Sequence, residues 1–179
     1  MSAAGSTRLA STRSALVGAC RTVVALKGLR GLTMSGVADA SGLARATVYN
    51  HVRDRDELLG VLTSALRAEM ISVARSHSSA REGLLAVANW LATDPALSGV
   101  RQFNADTLVS LATNVMEFPE DIALEAMAVL SQWGVHADLS AAEAALRWLS
   151  SYLLAPGSAT DRETGADLIA ASLSLDLVR

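Results

Sequence analysis

The stretch 33–52 carries the residue pattern that most constrains the fold of this chain. Two helices that cross steeply through a tight turn need a small residue at their contact, which Ala38 supplies. The turn itself needs a residue that tolerates positive φ, and Gly42 follows four positions later. Leu43 is expected to close the turn and Val48 to anchor the second helix. Because several residue types meet these requirements at fixed offsets, the stretch predicts a helix-turn-helix.

Composition extends the helical prediction to the whole chain. Apolar residues make up 51% of the 179 residues, whereas aromatic residues make up only 4%. Because β-branched and aromatic residues form most strands, this balance favours packed helices. The sequence therefore predicts an all-α fold. It has a flexible tail over 1–6, a three-helix head over 7–53 that contains the helix-turn-helix, and a larger helical domain over 54–179.

Glycine, proline and polar capping residues divide the helical periodicity into segments. Thr33 and Asp54 are suited to cap the amino ends of helices, whereas Gly28 and Gly42 are suited to end the preceding ones. Helices are predicted over 7–27, 33–42, 44–52, 55–76, 80–93, 96–116, 119–133, 140–154 and 162–177.

The charge is divided unevenly along the chain. The overall net charge of −3 by itself argues against a protein that binds nucleic acid. Residues 1–60, however, hold eight basic and four acidic side chains, a net charge of +4, which leaves −7 on the remaining 119 residues. A basic head on an acidic body is typical of a DNA-binding domain joined to an effector module, with chance asymmetry as the alternative.

The third predicted helix, 44–52, presents a polar outer face. When Val48 points inward, a rotation of about 100° per residue directs four residues outward, while Ala44 and Val52 lean inward. The guanidinium, amide and hydroxyl groups of the outer face suit the donors and acceptors of a DNA major groove. The alternative is a solvated face on an ordinary helical hairpin. The outward residues are Ala46, Thr47, Tyr49 and Asn50, with Arg45 and His51 on the flanks.

The most specific motif of the chain is Thr-x-Tyr-x-His-Val, which begins at Thr47 and is followed by charged residues and Leu58-Leu59. Together with Gly-Leu-Thr-Met at 31–34, Val-Ala at 37–38 and the glycine turn, it resembles the DNA-binding head of the tetracycline-repressor (TetR) family. The resemblance covers about a third of the chain, and the remainder agrees in length, helix count and helix order. It implies a transcription regulator whose larger C-terminal domain binds an effector and dimerises.

The resemblance implies DNA contacts on the second and third helices and a phosphate contact at the start of the fourth. Two departures from the family pattern concern stability. Ala44 lacks a capping side chain, at a cost of about 1 kcal/mol, and Gly36 inside the second helix costs about 1 kcal/mol more. The head is therefore expected to be less stable than usual. The implicated residues are Thr33, Ser35, Arg45, Ala46, Thr47, Tyr49, Asn50, His51 and Arg55.

The last two predicted helices carry apolar stripes that are broader than one core face requires. In the resembled family these helices pair with their twofold mates as a four-helix bundle. This implies a homodimer that places two recognition helices about one DNA turn apart. The alternative is that the stripes form internal core. The residues expected at the dimer interface are Leu146, Leu149, Tyr152, Leu153, Ile169 and Leu173.

The middle helices contain aromatic, methionine and polar side chains at helical spacing. A mostly apolar cavity with a few polar groups would suit a small organic effector. The alternative is that these side chains are plain core. The candidate effector-binding residues are Asn89, Trp90, Phe103, Thr107 and Met127.

The sequence thus predicts a repressor that a small organic effector releases from double-stranded operator DNA. The alternatives are a helical enzyme and a helical interaction module that has lost DNA binding. The chain contains no HExxH motif, nucleophile elbow or phosphate loop, so no catalytic residue, metal or cofactor is expected. The single Cys20 cannot form an internal disulfide, and no stretch approaches the ~20 apolar residues of a membrane span. A cytoplasmic location without membrane contact is expected.

Overall fold

Every regular element that the structure describes is helical, which confirms the all-α prediction. The computed structural model describes residues 3–108, 119–136 and 138–175. No helix in these ranges is both long and apolar enough to cross a membrane. The elements are α1 (Ala3–Lys27), the 3-10 helix η1 (Leu29–Gly31), α2 (Met34–Ser41), α3 (Arg45–His51), α4 (Arg55–Arg75), α5 (Ala80–Thr93), α6 (Pro95–Phe103), α7 (Glu120–Gln132), α8 (Leu139–Leu154) and α9 (Ala159–Leu175), and residues 105–108 are also helical.

Side chains cap the helices where the sequence predicts. The Thr33 hydroxyl accepts a hydrogen bond from the Gly36 N–H at 3.0 Å and so starts α2. The Asp54 carboxylate accepts from the Glu57 N–H at 2.9 Å and starts α4 in the same way. Gly42 ends α2 with φ of 68°, a conformation that a residue with a β-carbon rarely adopts. The predicted boundaries of the helix-turn-helix are therefore confirmed to within a residue.

Two predicted helix starts are wrong. α1 begins at Ala3, four residues before the predicted start, so residues 3–6 are helical where a flexible tail is predicted. Residues 1–2 lie outside the described ranges. α9 begins three residues earlier than expected, because Ser158 and Asp161 form a capping box. The Ser158 N–H donates to the Asp161 carboxylate at 2.8 Å, and the Asp161 N–H donates to the Ser158 hydroxyl at 3.1 Å.

The helix predicted over 96–116 is interrupted. α6 ends at Phe103, and the helical residues resume only at position 105. The interruption falls at Asn104, whose side-chain oxygen accepts a hydrogen bond from the backbone N–H of Leu29 at 2.7 Å. The part of this prediction beyond residue 108 lies outside the described residues.

The chain forms two compact units whose division differs from the predicted domains at 7–53 and 54–179. The first unit comprises Met1–Arg67 and Pro95–Asn104, and the second comprises Ala68–Asp94 and Ala105–Arg179. α6 belongs to the first unit because it packs closely on α1. A β-carbon at Gly99 would overlap the carbonyl oxygen of Val24, so the two helix backbones touch there.

Each unit has its own apolar core. In the first unit the fully buried side chains come from α1, α2, α3 and the start of α4, and they include Leu16, Val24, Val37, Val48 and Leu58. In the second unit α5 packs against α8 and α9, and α7 packs against α8. Its core combines leucines with alanines that let the helices approach closely: Leu84, Leu130, Val135, Ala141, Ala142, Ala145, Ala166 and Leu173.

Candidate nucleic-acid interface

The turn between α2 and α3 has the geometry that its sequence predicts. Ala38 is 3% exposed, and Val48 is fully buried. The Ser41 hydroxyl donates to the Ala38 carbonyl at 3.1 Å and accepts from the Leu43 N–H at 3.3 Å, which adds two side-chain bonds to the glycine turn. Leu43 is half-buried beside the turn. These contacts fix the direction in which α3 leaves the turn.

α3 exposes a polar face opposite Val48. Tyr49 has 56% of its surface exposed, and Arg45, Ala46 and Asn50 are exposed as well. Thr47 and His51 are half-buried, so Thr47 lies on a flank and not on the outermost line. The outward orientation predicted for the other three residues is confirmed. The face therefore offers a guanidinium, a phenol hydroxyl and an amide to a partner.

The two ends of α3 differ from each other. Val52, expected to lean inward, is 2% exposed. Ala44, also expected to lean inward, is exposed. The prediction for Ala44 is wrong because this residue is the N-cap with extended backbone angles (φ −62°, ψ 141°), so the helical rotation does not apply to it. As expected, no side chain caps α3 at this position.

The amino end of α2 also carries residues that the sequence implicates in DNA contacts. Thr33 is exposed, and its hydroxyl oxygen is the cap of α2. Ser35 is half-buried in the first turn of α2. Backbone N–H groups at the start of a helix attract phosphate oxygens, and hydroxyls can donate to them. This arrangement suits contacts to the DNA backbone.

Arg55 is exposed at the start of α4, and one guanidinium nitrogen donates to the carbonyl oxygen of Leu29 at 2.9 Å. A guanidinium carries five N–H donors, so this bond leaves others for a phosphate. The contact joins residues that are 26 positions apart. No local pattern in the sequence points to it, and sequence analysis did not anticipate it.

The charge beside Arg55 is partly neutralised within the protein. The Glu57 carboxylate accepts from the backbone N–H of Arg53 at 2.7 Å and pairs with its guanidinium at 3.3 Å. The backbone hydrogen bond, followed by the side-chain bond, lowers the pKa of Glu57 below its ordinary value. Glu57 therefore acts as a capping group of α4 while its charge is balanced by a neighbouring arginine.

The candidate effector residues are divided between the two units. Phe103, 43% exposed, belongs to the first unit, and the other four belong to the second. Asn89 accepts from Arg162 at 2.7 Å, and the Trp90 ring N–H donates to Glu69 at 3.3 Å, so both have partners within the second unit. Thr107 is exposed, and Met127 is half-buried against the core. The role of these residues in effector binding stays a prediction.

A surface cleft of the second unit lies where sequence analysis placed no site. It has a volume of about 380 Å³ and lies between the start of α5, the residues after α7 and the end of α9. Its polar lining includes Ser78, Ser79 and Ser174, while Arg81 is ion-paired with Asp167. In the described parts of the chain, no group of three or more His, Cys, Asp or Glu side chains could hold a metal ion.

Three of the six residues expected at a dimer interface are core residues of a single chain. Leu146, Tyr152 and Leu173 are 9%, 6% and 4% exposed, so they have little surface left for a second chain. The apolar stripes of α8 and α9 face the protomer's own core, which periodicity alone could not distinguish from an interface. Leu149, Leu153 and Ile169 are half-buried. Among the described side chains of these helices, the exposed leucines are Leu139, Leu154 and Leu168.

Comparisons with known proteins agree with this geometry. Residues 16–62 match the family model of bacterial regulatory proteins, tetR family, and this segment contains the whole helix-turn-helix. The chain is also similar in fold to the TetR family repressor AlkX from Dietzia sp. strain DQ12-45-1b, a protein implicated in biodegradation of n-alkanes. The two share 20% identity over 90% of this chain and 95% of that chain, with a TM-score of 0.56. No curated protein gives a significant match.

Proposed function

Because this chain is a DNA-binding transcription regulator of the TetR family, which is not a family of enzymes, we propose that it is a repressor released by a small organic effector. It binds double-stranded operator DNA as a homodimer in the cytoplasm. The single observation that carries the proposal is the exposed polar face of α3, held outward by the buried Val48 and followed in the sequence by the exposed Arg55 at the start of α4.

The residues of this face divide into two proposed roles. Arg45, Tyr49 and Asn50 are exposed on α3 and read base edges, since arginine pairs with guanine and asparagine with adenine in the major groove. Thr33 and Arg55 contact phosphates and set the register of the head on the duplex. The neighbouring Ser35, Ala46, Thr47 and His51 complete the contact surface.

The proposed homodimer is formed by the outer faces of α8 and α9. Since Leu146, Tyr152 and Leu173 are buried within one chain, the interface rests on other residues. Leu168 is 67% exposed on α9, and Leu154 is 43% exposed on α8. Contact with a second copy would remove the apolar surface of both side chains from water, which favours association. Half-buried Leu149, Leu153 and Ile169 extend this surface.

The proposed effector acts through the second unit. A ligand shifts the DNA-binding equilibrium only if it binds two conformations with different affinity. The chain passes between the two units within α4, before Pro95 and after Asn104, so α4 and both ends of α6 are the covalent routes by which a change in the second unit reaches the first.

The test is the affinity for duplex DNA from the region upstream of the protein's own gene, measured over a series of salt concentrations. Each phosphate contact contributes about −0.9 to the slope of log K against log salt. Arg45→Ala and Tyr49→Ala are expected to weaken specific binding by about 1–3 kcal/mol each and to relax base preference. Arg75→Ala, which removes an exposed arginine at the end of α4 away from the proposed DNA and dimer surfaces, is the matched control and should bind as the native protein does. A flat salt response, or unchanged sequence preference in both α3 variants, contradicts the proposal.

A further inference from the structure

We propose that Asn104 is a positioning residue for DNA binding, which orients Arg55 through the backbone of Leu29. The inference rests on the proposed function, because it assigns Arg55 a contact with DNA phosphate. The residue that it adds, Asn104, follows directly after the last residue of α6. The helix-turn-helix pattern in the sequence does not implicate it.

Two side chains form hydrogen bonds with the backbone of Leu29, one with its N–H and the other with its carbonyl oxygen. The side-chain oxygen of Asn104 accepts from the Leu29 N–H at 2.7 Å. The Arg55 guanidinium donates to the Leu29 carbonyl oxygen at 2.9 Å. Both bonds lie within the first compact unit. Because both bonds hold the backbone of the same residue, loosening the Leu29 N–H also loosens the position of the carbonyl oxygen that Arg55 binds.

Leu29 needs a side-chain partner because of where it stands in the chain. α1 ends at Lys27, and Gly28 turns the backbone with φ of 62° before η1 begins. The Leu29 N–H therefore has lost the helical carbonyl that an interior residue would use, and Asn104 supplies the replacement from a position 75 residues later. The bond adds to the backbone bonds of η1, in which Gly31 donates to Gly28 at 3.1 Å and Leu32 donates to Leu29 at 3.2 Å.

Close packing fixes Asn104 in turn. A β-carbon at Gly28 would overlap both the side-chain oxygen of Asn104 and the β-carbon of Phe103. A β-carbon at Gly99, one turn earlier on α6, would overlap the backbone of Val24 and Ala25. The carboxyl end of α6 thus packs on the end of α1 through Gly28 and Gly99, where a larger residue would not fit.

The consequence for DNA binding is preorganisation of Arg55. An exposed arginine samples many rotamers, and holding it for a phosphate costs side-chain entropy. The bond to Leu29 restricts the guanidinium before DNA arrives, and it does so only while η1 is fixed. Removing the Asn104 side chain leaves η1 held by its backbone bonds alone and so loosens Leu29, which reduces the contribution of Arg55 to binding without any change at Arg55 itself.

The experiment is a double-mutant cycle on the full-length protein with the same upstream duplex, over a salt series. The variants are Arg55→Ala, Asn104→Ala, the pair together, and Gln102→Ala as an exposed control on the same helix. Arg55→Ala is expected to reduce the salt slope by about 0.9 and Asn104→Ala to reduce it in part. In the Asn104→Ala background the fold-loss from Arg55→Ala is expected to shrink at least about threefold. Gln102→Ala should change neither quantity.

Two further measurements separate positioning from general stability. Asn104→Asp retains an oxygen that can accept from Leu29, so the loss caused by Arg55→Ala should be as large in that background as in the native protein. Hydrogen exchange of the Leu29 amide should accelerate in Asn104→Ala but not in Gln102→Ala. If Asn104→Ala does not fold, Asn104→Ser, whose hydroxyl is too short to reach Leu29, replaces it in the cycle.

If the native protein binds DNA with the expected salt slope but Arg55→Ala costs the same in every background, the positioning role is wrong and the proposed function stands. Should the native protein show no salt-dependent binding to the duplex, the proposed function fails and the role of Asn104 fails with it.

Discussion

The recognition helix α3 and the helix α8 of the second unit are stabilised in different ways. α3 has seven residues and no capping side chain. α8 has 16 residues, and the Asp138 carboxylate caps it by accepting from the Ala141 N–H at 2.8 Å. Because isolated helices shorter than about 12 residues are marginal in water, α3 depends on tertiary contacts through Val48 and Val52. The helix that is proposed to read DNA is therefore the one that depends more on tertiary contacts, and operator binding is expected to stabilise it.

The chain carries natural probes that report the two units separately. Cys20, the single cysteine, is fully buried in the core of the first unit, and desolvation raises the pKa of its thiol to about 11. Its thiolate forms only when that unit opens, so thiol labelling near neutral pH reports the first unit. The three tryptophans, Trp90, Trp133 and Trp148, all lie in the second unit, and their fluorescence reports its unfolding.

The largest expected effect comes from core truncation in each unit. Leu84→Ala removes a side chain that is 1% exposed and should destabilise the second unit by about 2–5 kcal/mol. Val48→Ala should cost about 1.5–3 kcal/mol in the first unit and abolish DNA binding. Urea titrations followed by tryptophan fluorescence and by Cys20 labelling check both values. If Leu84→Ala shifts the Cys20 transition as far as the tryptophan transition, the units do not unfold separately.

The next effect concerns the cap that starts the helix-turn-helix. Thr33→Ala removes the acceptor for the Gly36 N–H and should cost about 1 kcal/mol of stability in the first unit. It should also weaken DNA binding, because Thr33 is a proposed phosphate contact. Thr63→Ala, which removes an exposed threonine inside α4, is the control and should be neutral. Equal losses in both variants, measured by Cys20 labelling, would contradict the capping role.

A smaller effect of opposite sign is expected at the start of α3. Ala44→Ser introduces a hydroxyl at an N-cap that has none, and should stabilise the first unit by about 0.5–1 kcal/mol. Ala46→Ser, inside the same helix, provides no cap and should give no stabilisation. The midpoint of Cys20 labelling in urea measures both, and a gain in Ala46→Ser but not in Ala44→Ser would refute the interpretation.

The smallest effect is a pH dependence at the start of α4. Hydrogen bonds from Arg53 lower the pKa of the exposed Glu57, so the folded state holds this carboxylate ionised more strongly than the unfolded state does. The stabilisation is present above the unfolded pKa of about 4.3 and is lost as pH falls through the lower folded pKa. Asp161 has a lowered pKa for the same reason at the start of α9.

Replacing each carboxylate in turn distinguishes its contribution to the first unit from that to the second. Glu57→Gln should flatten the acid dependence of amide-exchange protection at the start of α4 and leave the tryptophan transition unchanged, whereas Asp161→Asn should flatten the acid dependence of the tryptophan transition and leave the α4 amides unchanged. An acid dependence of the α4 protection that persists in full in Glu57→Gln would assign it to another group.

The features that the sequence predicted correctly are those that arise within a few residues. Thr33, Gly42 and Asp54 act on backbone groups two or three positions away, so residue type and spacing were enough. The Ser158–Asp161 capping box is equally local, and its three-residue spacing was a signal that sequence analysis overlooked. Most helix starts could therefore be predicted to within a residue, the exceptions being those of α1 and α9.

The features that could not be predicted depend on which distant parts of the chain pack against each other. Periodicity shows that Leu146 and Leu173 lie on apolar faces, but not that the same chain covers them. The bonds that Asn89 makes with Arg162 and Asn104 with Leu29 join residues 73 and 75 positions apart, and no local pattern encodes them. Sequence alone consequently predicted the helix-turn-helix and its exposed α3 face, but not the long-range hydrogen bonds of Asn89 and Asn104.

The central claim is that the first unit binds DNA through α2, α3 and the start of α4. Hydrogen exchange, measured by peptide mass spectrometry with and without the upstream duplex, tests it most directly. In the free protein, amides of α3 should exchange faster than those of α8, and the duplex should slow exchange over α2, α3 and Arg55 while leaving α8 unchanged. Exchange that is equally slow in both helices before DNA is added, with no slowing in α3 afterwards, would contradict the account.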